Sequence, residues 1–211
     1  MSEPLRSEIP WAGVHMWWGD DRFVPRDHPL SNFKPFNDVL IGIGTAEEGT
    51  AGRHGVPIPI DQVHPFRTTE AIGAGQDQAL CAAAMADELR AAAPMTDDGW
   101  PVFDLMTLGM GADGHVLSVF PGSLALAAKQ LTLGVDAPAH IEPHVARVTL
   151  NPVVVTVARA VLMIATGESK AAVLAEVFGA ERDPSRWPSQ LAVRDGSTWI
   201  VDEAAASRLP R

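Results

Sequence analysis

The chain has 211 residues, 46% of them hydrophobic and 20% charged, with a formal net charge of −10 and a pI near 5.0. That length fits one large domain or two small ones and is enough to bury a sizeable core. The acidic balance argues against a general affinity for nucleic acid or an anionic membrane, both of which need a net basic face, but leaves room for a small anionic ligand held by a few local cations.

Along the chain, Val14 to Trp18 ("VHMWW") is a β-type run ending at "GDDRFVPRDHP". Ser31 can cap a short helix running toward Leu40, and the glycine-rich stretch Gly42 to Gly55 reads as a loop. A short extended piece, "VHPF", precedes a long Ala-rich helix predicted over Thr69 to Ala93, with Leu80, Met85 and Leu89 at helical spacing. Cys81, the single cysteine, shares a face with Met85 and Leu89 and reads as a small buried hydrophobe; one cysteine permits no intrachain disulfide. Strands are predicted at Val102 to Leu108 and Leu131 to Val135. Pro152 suits the first turn of a helix to Arg159. Ala160 to Thr166 is a fully apolar strand, as buried parallel strands are. Gly167 and Glu168 lead into a helix through Phe178, and "STWIV" and "DEAAASRL" close the chain as strand and helix. This alternation predicts an α/β fold with a mainly parallel sheet. The N-terminus has no apolar signal-like run, and no stretch approaches ~20 apolar residues, so a cytoplasmic protein is the default expectation.

Ligands of open parallel sheets bind beyond the carboxyl ends of the strands. That rule predicts one rim bearing "GDDR" after Trp18, "GMGADGH" after Leu108 and "GESK" after Thr166. Gly109 to Gly114 satisfies G-x-G-x-x-G, the dinucleotide fingerprint. However, Pro121-Gly122 interrupts the helix that fingerprint needs, and Asp113 puts an acid where pyrophosphate would approach. No nicotinamide cofactor is expected. The glycines suit an anion-binding nest or an oxyanion site instead, with His115 as a base and Asp113 orienting its ring. From the residues alone, a plain Asp-Gly turn with a capping histidine stands equally open. Arg22, Arg147 and Lys170 are candidate anion ligands, although for each taken singly a solvated surface charge is the plainer reading. His140 and His144 mimic an i, i+4 metal pair, but Pro138 and Pro143 break the helix that would align them, so no metal is expected. No Gly-x-Ser-x-Gly elbow exists, and a covalent nucleophile is unsupported.

Together "WWGDDRFVP", "SNF", "FDLMTLGMGADGHVLSVFPGS", "RVTLNPVVVTVARAVLMIATGESKAAVL" and "TWIVDEAAASRL" resemble the 6-phosphogluconolactonase family over nearly the whole chain. Related glucosamine-6-phosphate deaminases share the Asp-Gly-His core but continue with a Phe-Asn-Glu-Pro type sequence, whereas this chain reads "VLSVFPG". The resemblance implies a Rossmann-like three-layer α/β/α sandwich and hydrolysis of 6-phospho-D-glucono-1,5-lactone in the oxidative pentose phosphate pathway, without metal or organic cofactor. It implies His115 as general base, with Asp113 and Arg22 beside it in catalysis. Asp20, Gly109, Gly111, Gly114, Arg147 and Lys170 form the expected substrate-binding set. The expected partner is the sugar-phosphate lactone alone, with neither nucleic acid nor membrane, in a monomer or weak homo-oligomer.

This chain departs from the family pattern in three places. Asp21 stands where the family signature has Glu, and no lysine lies between Asp136 and Arg147, where a Ser-Pro-Lys-Pro-Pro segment is usual. Nothing like the family's first strand and Gly-Gly-Ser-Thr phosphate loop precedes Trp17. The expectation is therefore a single domain over residues 1–211 that lacks its first βα unit. A deaminase-like enzyme and an inactive sugar-phosphate-binding relative are the alternatives.

Overall fold

The computed structural model of the protein describes residues 8–41, 55–179 and 181–209. Strands form at Met16–Trp17 (β1), Asp20–Arg22 (β2), Val63–His64 (β3), Leu105–Gly109 (β4), Thr132–Val135 (β5), Arg147–Leu150 (β6), Ala160–Ala165 (β7) and Ser197–Val201 (β8). Helices form at Phe33–Phe36 (α1), Thr68–Gly73 (α2), Gln78–Ala92 (α3), Val153–Val157 (α4), Ala171–Gly179 (α5) and Glu203–Ala206 (α6).

β7 is the middle strand of a parallel sheet, β4-β7-β8, and its run of apolar residues suits that place. Alternation sends Met106, Val161, Met163 and Ala165 into one core with Leu89 of α3 and Val173, Leu174 and Val177 of α5. The other face of the same sheet leaves Leu105, Ile164 and Ile200 exposed. β1 and β3 pair in parallel as a second, two-stranded unit. These parallel strands and their helices bear out the predicted α/β class.

A third sheet, β2-β6-β5, is antiparallel throughout and does not follow from the sequence reading. It turns "DDR", predicted as a rim loop, into a strand, and adds "RVTL" as its centre. The reason is tertiary. Asp21 points inward and is 1% exposed. Its carboxylate accepts the N–H groups of Arg22 (2.7 Å), Asn32 (2.6 Å) and Phe33 (3.3 Å) and the Ser31 hydroxyl (2.8 Å). A buried acid in a strand is tolerable when its lone pairs are filled in this way. Asp21 thus ties β2 to the start of α1.

The long helix predicted over Thr69 to Ala93 is two helices, α2 and α3. Gly73 and Gly75 are poor helix formers, and Asp77 restarts the helix by accepting the Leu80 N–H at 2.9 Å. Cys81, Met85 and Leu89 are buried as expected, whereas Leu80 faces outward and is 55% exposed. α3 packs on β5 and β6, and the Thr132 hydroxyl donates to the Ala82 carbonyl at 2.6 Å. The helix opening at Pro152 stops at Val157, short of Arg159. The loop predicted over Gly42 to Gly55 lies outside the described residues except for Gly55. No helix among the described residues is long and apolar enough to cross a membrane.

Candidate active site

β4 delivers the chain into the turn from Gly109 to His115. Within it, the Gly111 N–H donates to the His115 carbonyl at 3.0 Å and the Gly114 N–H to the Gly111 carbonyl at 3.1 Å. Gly114 adopts φ +83°, a left-handed conformation that glycine takes without strain. At Gly111 the constraint is space: a Cβ there would lie 2.1 Å from His115 Nδ1 and 2.5 Å from an Asp113 oxygen. These two glycines let the acid and the imidazole fold back against the backbone and meet.

They meet closely. Asp113 Oδ1 lies 2.6 Å from His115 Nδ1 and also accepts the His115 backbone N–H at 3.2 Å. Asp113 Oδ2 lies 3.2 Å from His140 Nε2. Burial pushes the Asp113 carboxyl up, but hydrogen bonds and charge from His115, with a further bond from His140, outweigh it and hold the group down at about 2. An ionised carboxylate only accepts, so Nδ1 carries the proton that faces Asp113, and Nε2 is the ring nitrogen left for proton transfer. Phe120 packs on the ring at 4.7 Å between centroids.

Beyond His115 the chain reverses at 116–119, where the Val119 N–H donates to the Val116 carbonyl and Leu117 sits at φ +55°. A leucine in the left-handed region is strained, and such strain persists only where the surroundings hold it. Here the holders are Ser118 and its partners. Its hydroxyl donates to Asp20 Oδ2 at 2.6 Å and its N–H to Thr149 Oγ1 at 3.3 Å, fixing the turn against β2 and β6.

The antiparallel register sets Arg22 directly opposite Arg147. Like charges at such positions repel. Arg22 donates to the Leu30 carbonyl (3.1 Å) and Asn32 Oδ1 (2.7 Å), while Asn32 in turn donates to Asp20. Arg147 is 3% exposed, lies over the Phe120 ring at 5.5 Å and, among the described residues, donates only to the Pro143 carbonyl, at 3.4 Å. Burial first, and then the charge of Arg22, lower its basicity against the pull of Asp20 and Asp21. The Nε groups of both arginines are buried without a partner among the described residues. Two facing guanidinia with unused donors call for an anion.

Asp20, Arg22, Asn32, Gly111, His115 and Arg147 line a single cavity of about 1030 Å³, and Gly109 borders it too. The fold therefore brings together Asp20, Arg22, Gly109, Gly111, His115 and Arg147 from the predicted set. Asp113 and Gly114 stand behind the imidazole and do not line the cavity. Lys170 also lies off the lining, in a 3-10 turn after β7. His140 and His144 diverge, the first to Asp113 and the second toward Glu142 at 3.6 Å. The sequence reading gave no role to Asn32, Ser118 or Phe120. Asn32 and Ser118 sit inside stretches that resemble the family, "SNF" and "VLSVFPG", and that was the available signal.

A family model described as glucosamine-6-phosphate isomerases/6-phosphogluconolactonase matches residues 1–201. The 6-phosphogluconolactonase of Mycobacterium tuberculosis is 34% identical over 206 residues, covering 96% of this chain and 76% of that protein. The 6-phosphogluconolactonase of Synechocystis is 30% identical, covering 97% of this chain and 77% of its own length. Among solved structures, the 6-phosphogluconolactonase of Trypanosoma brucei superposes with a TM-score of 0.74 at 28% identity, over 92% of this chain and 73% of the other. With its histidine and its facing arginines gathered at one cavity, Asp113 behind the imidazole, and these likenesses along almost its entire length, the chain belongs to the glucosamine-6-phosphate isomerase/6-phosphogluconolactonase family.

Proposed function

We propose that this protein hydrolyses 6-phospho-D-glucono-1,5-lactone to 6-phospho-D-gluconate, the lactone-opening step of the oxidative pentose phosphate pathway. The observation that carries this reading is the cavity in which a carboxylate-bound histidine faces two opposed, partly unpartnered arginines. That pairing suits a substrate with an anionic end and a carbonyl that becomes an oxyanion. The likeness to lactonases rather than deaminases after His115 favours the same substrate.

In this mechanism Arg147 holds the phosphoryl group, and the glycine turn admits the sugar close to the backbone. Anchoring at the phosphate fixes the lactone carbonyl against His115, which turns binding into positioning. Nε2 of His115 takes a proton from a water as its oxygen bonds to the carbonyl carbon. Asp113 accepts from Nδ1–H and stabilises the imidazolium that forms. The carbonyl oxygen becomes a tetrahedral oxyanion in the positive field of Arg22. When the intermediate collapses, the bond from the carbonyl carbon to the ring oxygen breaks, and His115 returns its proton to that oxygen. The product is the open-chain acid, which loses its carboxyl proton at neutral pH. Lys170, off the cavity lining, takes no part in this mechanism.

The test is a proton-release assay on freshly generated phospholactone, corrected for spontaneous opening, run beside an ammonia assay on glucosamine 6-phosphate. Acid release above background without ammonia is the expected result. Ammonia release without lactone opening would replace this reading with the deaminase one.

A further inference from the structure

The turn that carries His115 is clamped from behind by the segment 181–193, which neither lines the cavity nor belongs to a regular layer. The Ser189 N–H donates to the Gly114 carbonyl at 2.9 Å, and the Gly122 N–H donates to the Ser185 carbonyl at 2.7 Å. These two bonds hold the middle and the far end of the 111–122 loop. Between them, the Trp187 ring covers Gly114. A Cβ on Gly114 would meet Trp187 Cε3 at 3.0 Å and Val173 Cγ2 at 3.1 Å.

The segment is itself built to keep its shape. Gln190 is 2% exposed, and its side-chain oxygen accepts the Asp183 N–H at 2.6 Å. Its amide donates to the Val177 carbonyl at 3.3 Å and the Glu181 carbonyl at 3.4 Å. Arg182 donates to the Gln190 carbonyl at 3.1 Å, and Trp199 of β8 donates to the Ala192 carbonyl at 3.1 Å. Arg186 lies over the Trp187 ring at 5.1 Å. A buried polar side chain with both ends satisfied rigidifies the backbone it spans.

We propose that 181–193 is a strap that positions the general base, with Trp187 as its positioning residue. This rests on reading His115 as that base. Gly114 lies between Asp113 and His115, and its left-handed backbone sets the angle at which the two side chains meet. Glycine has many other conformations open to it. Trp187 and Val173 fill the space into which Gly114 would otherwise move, so the 2.6 Å contact between Asp113 and His115 is kept without help from substrate. Trp187 touches no substrate in this arrangement. Its effect passes through Gly114.

Trp187→Ala should lower kcat by ~10–100-fold while KM stays within ~2-fold, because a small misplacement of the base costs rate and not phosphate binding. Trp187→Phe should restore most of the rate. Met85→Ala, on the buried face of α3, should lower Tm without this loss of kcat, which separates positioning from general destabilisation. The NMR signal of the His115 Nδ1–H gives a readout independent of lactonase activity. Asp113 Oδ1 accepts that proton at 2.6 Å, so it should resonate far downfield and exchange slowly with solvent. In Trp187→Ala, or in Trp187→Leu should the alanine variant not fold, the signal should move upfield or be lost to faster exchange. An unchanged kcat, or an unmoved Nδ1–H signal in a folded variant, would overturn the strap. A wild-type protein without lactonase activity would overturn the reaction, while the Nδ1–H signal would still decide the strap.

Discussion

Asp113 divides one carboxylate between two imidazoles, with its nearer oxygen 2.6 Å from His115 and its other 3.2 Å from His140. Its folded pKa of about 2 lies below the ordinary carboxylate value. A depressed acid stabilises the fold above its unfolded pKa of about 4, and loses that contribution as pH falls through its folded value. The side chain is 18% exposed, so little of the shift is lost to solvent screening, and the contribution is on the order of 2 kcal/mol at neutral pH. Asp113→Asn should therefore be less stable than wild type in urea at pH 7, and the difference should shrink as pH approaches 2. The same variant should lose at least ~10-fold in kcat, since the ring loses its orienting acceptor. A stability gap that persists unchanged to pH 2 would show that the carboxylate charge is not its source. Asp113, Gly111, Gly114 and His115 were legible in sequence because they are neighbours within one turn. The opposition of Arg22 and Arg147 was not, because it depends on a register between two strands remote in sequence.

Elements were legible where one local signal dominated. β7 is apolar from end to end, and its neighbours were found with it. The segment Thr69 to Ala93 misled because Ala-rich sequence carries the helix across Gly73 and Gly75 on propensity alone. The break is set by Asp77, whose side chain accepts the Leu80 N–H at 2.9 Å and starts α3 afresh. Asp77→Ala should cost about 1 kcal/mol in chemical denaturation, the usual loss for an N-cap, with kcat unchanged because α3 meets the cavity only at Ala92, at its opposite end, and carries none of the charged site residues. A cost near zero would mean that α3 does not depend on this cap. β2 was hidden for a different reason. Two acids and an arginine have poor strand propensity, and they form one because Asp21 is buried among donors while Asp20 and Arg22 face the cavity.

At the scale of the whole molecule, the α/β class followed from alternating patterns, and the antiparallel β2-β6-β5 sheet did not, since neither "DDR" nor "RVTL" stands out as a strand. That sheet carries an electrostatic conflict, two opposed arginines in a chain whose net charge is −10. The conflict is relieved when an anion binds, and a ligand that binds only the folded state raises Tm by an amount that grows with the logarithm of its concentration above Kd. 6-Phosphogluconate should accordingly raise the Tm of wild type. Arg147→Met should match or exceed the unliganded wild-type Tm, because repulsion with Arg22 is gone, and should lose the ligand-induced rise. A retained rise in Arg147→Met would move the phosphate elsewhere in the cavity. The reaction itself is tested most directly by comparing wild type with His115→Asn on the phospholactone at neutral pH, each corrected for spontaneous opening. The expected result is a wild-type rate well above background and a loss of ~10²–10⁴-fold in kcat for the folded variant, the range for removal of a general base. Near-wild-type turnover by His115→Asn, or a wild-type rate no faster than background, would contradict the assignment of His115 and of the reaction built on it.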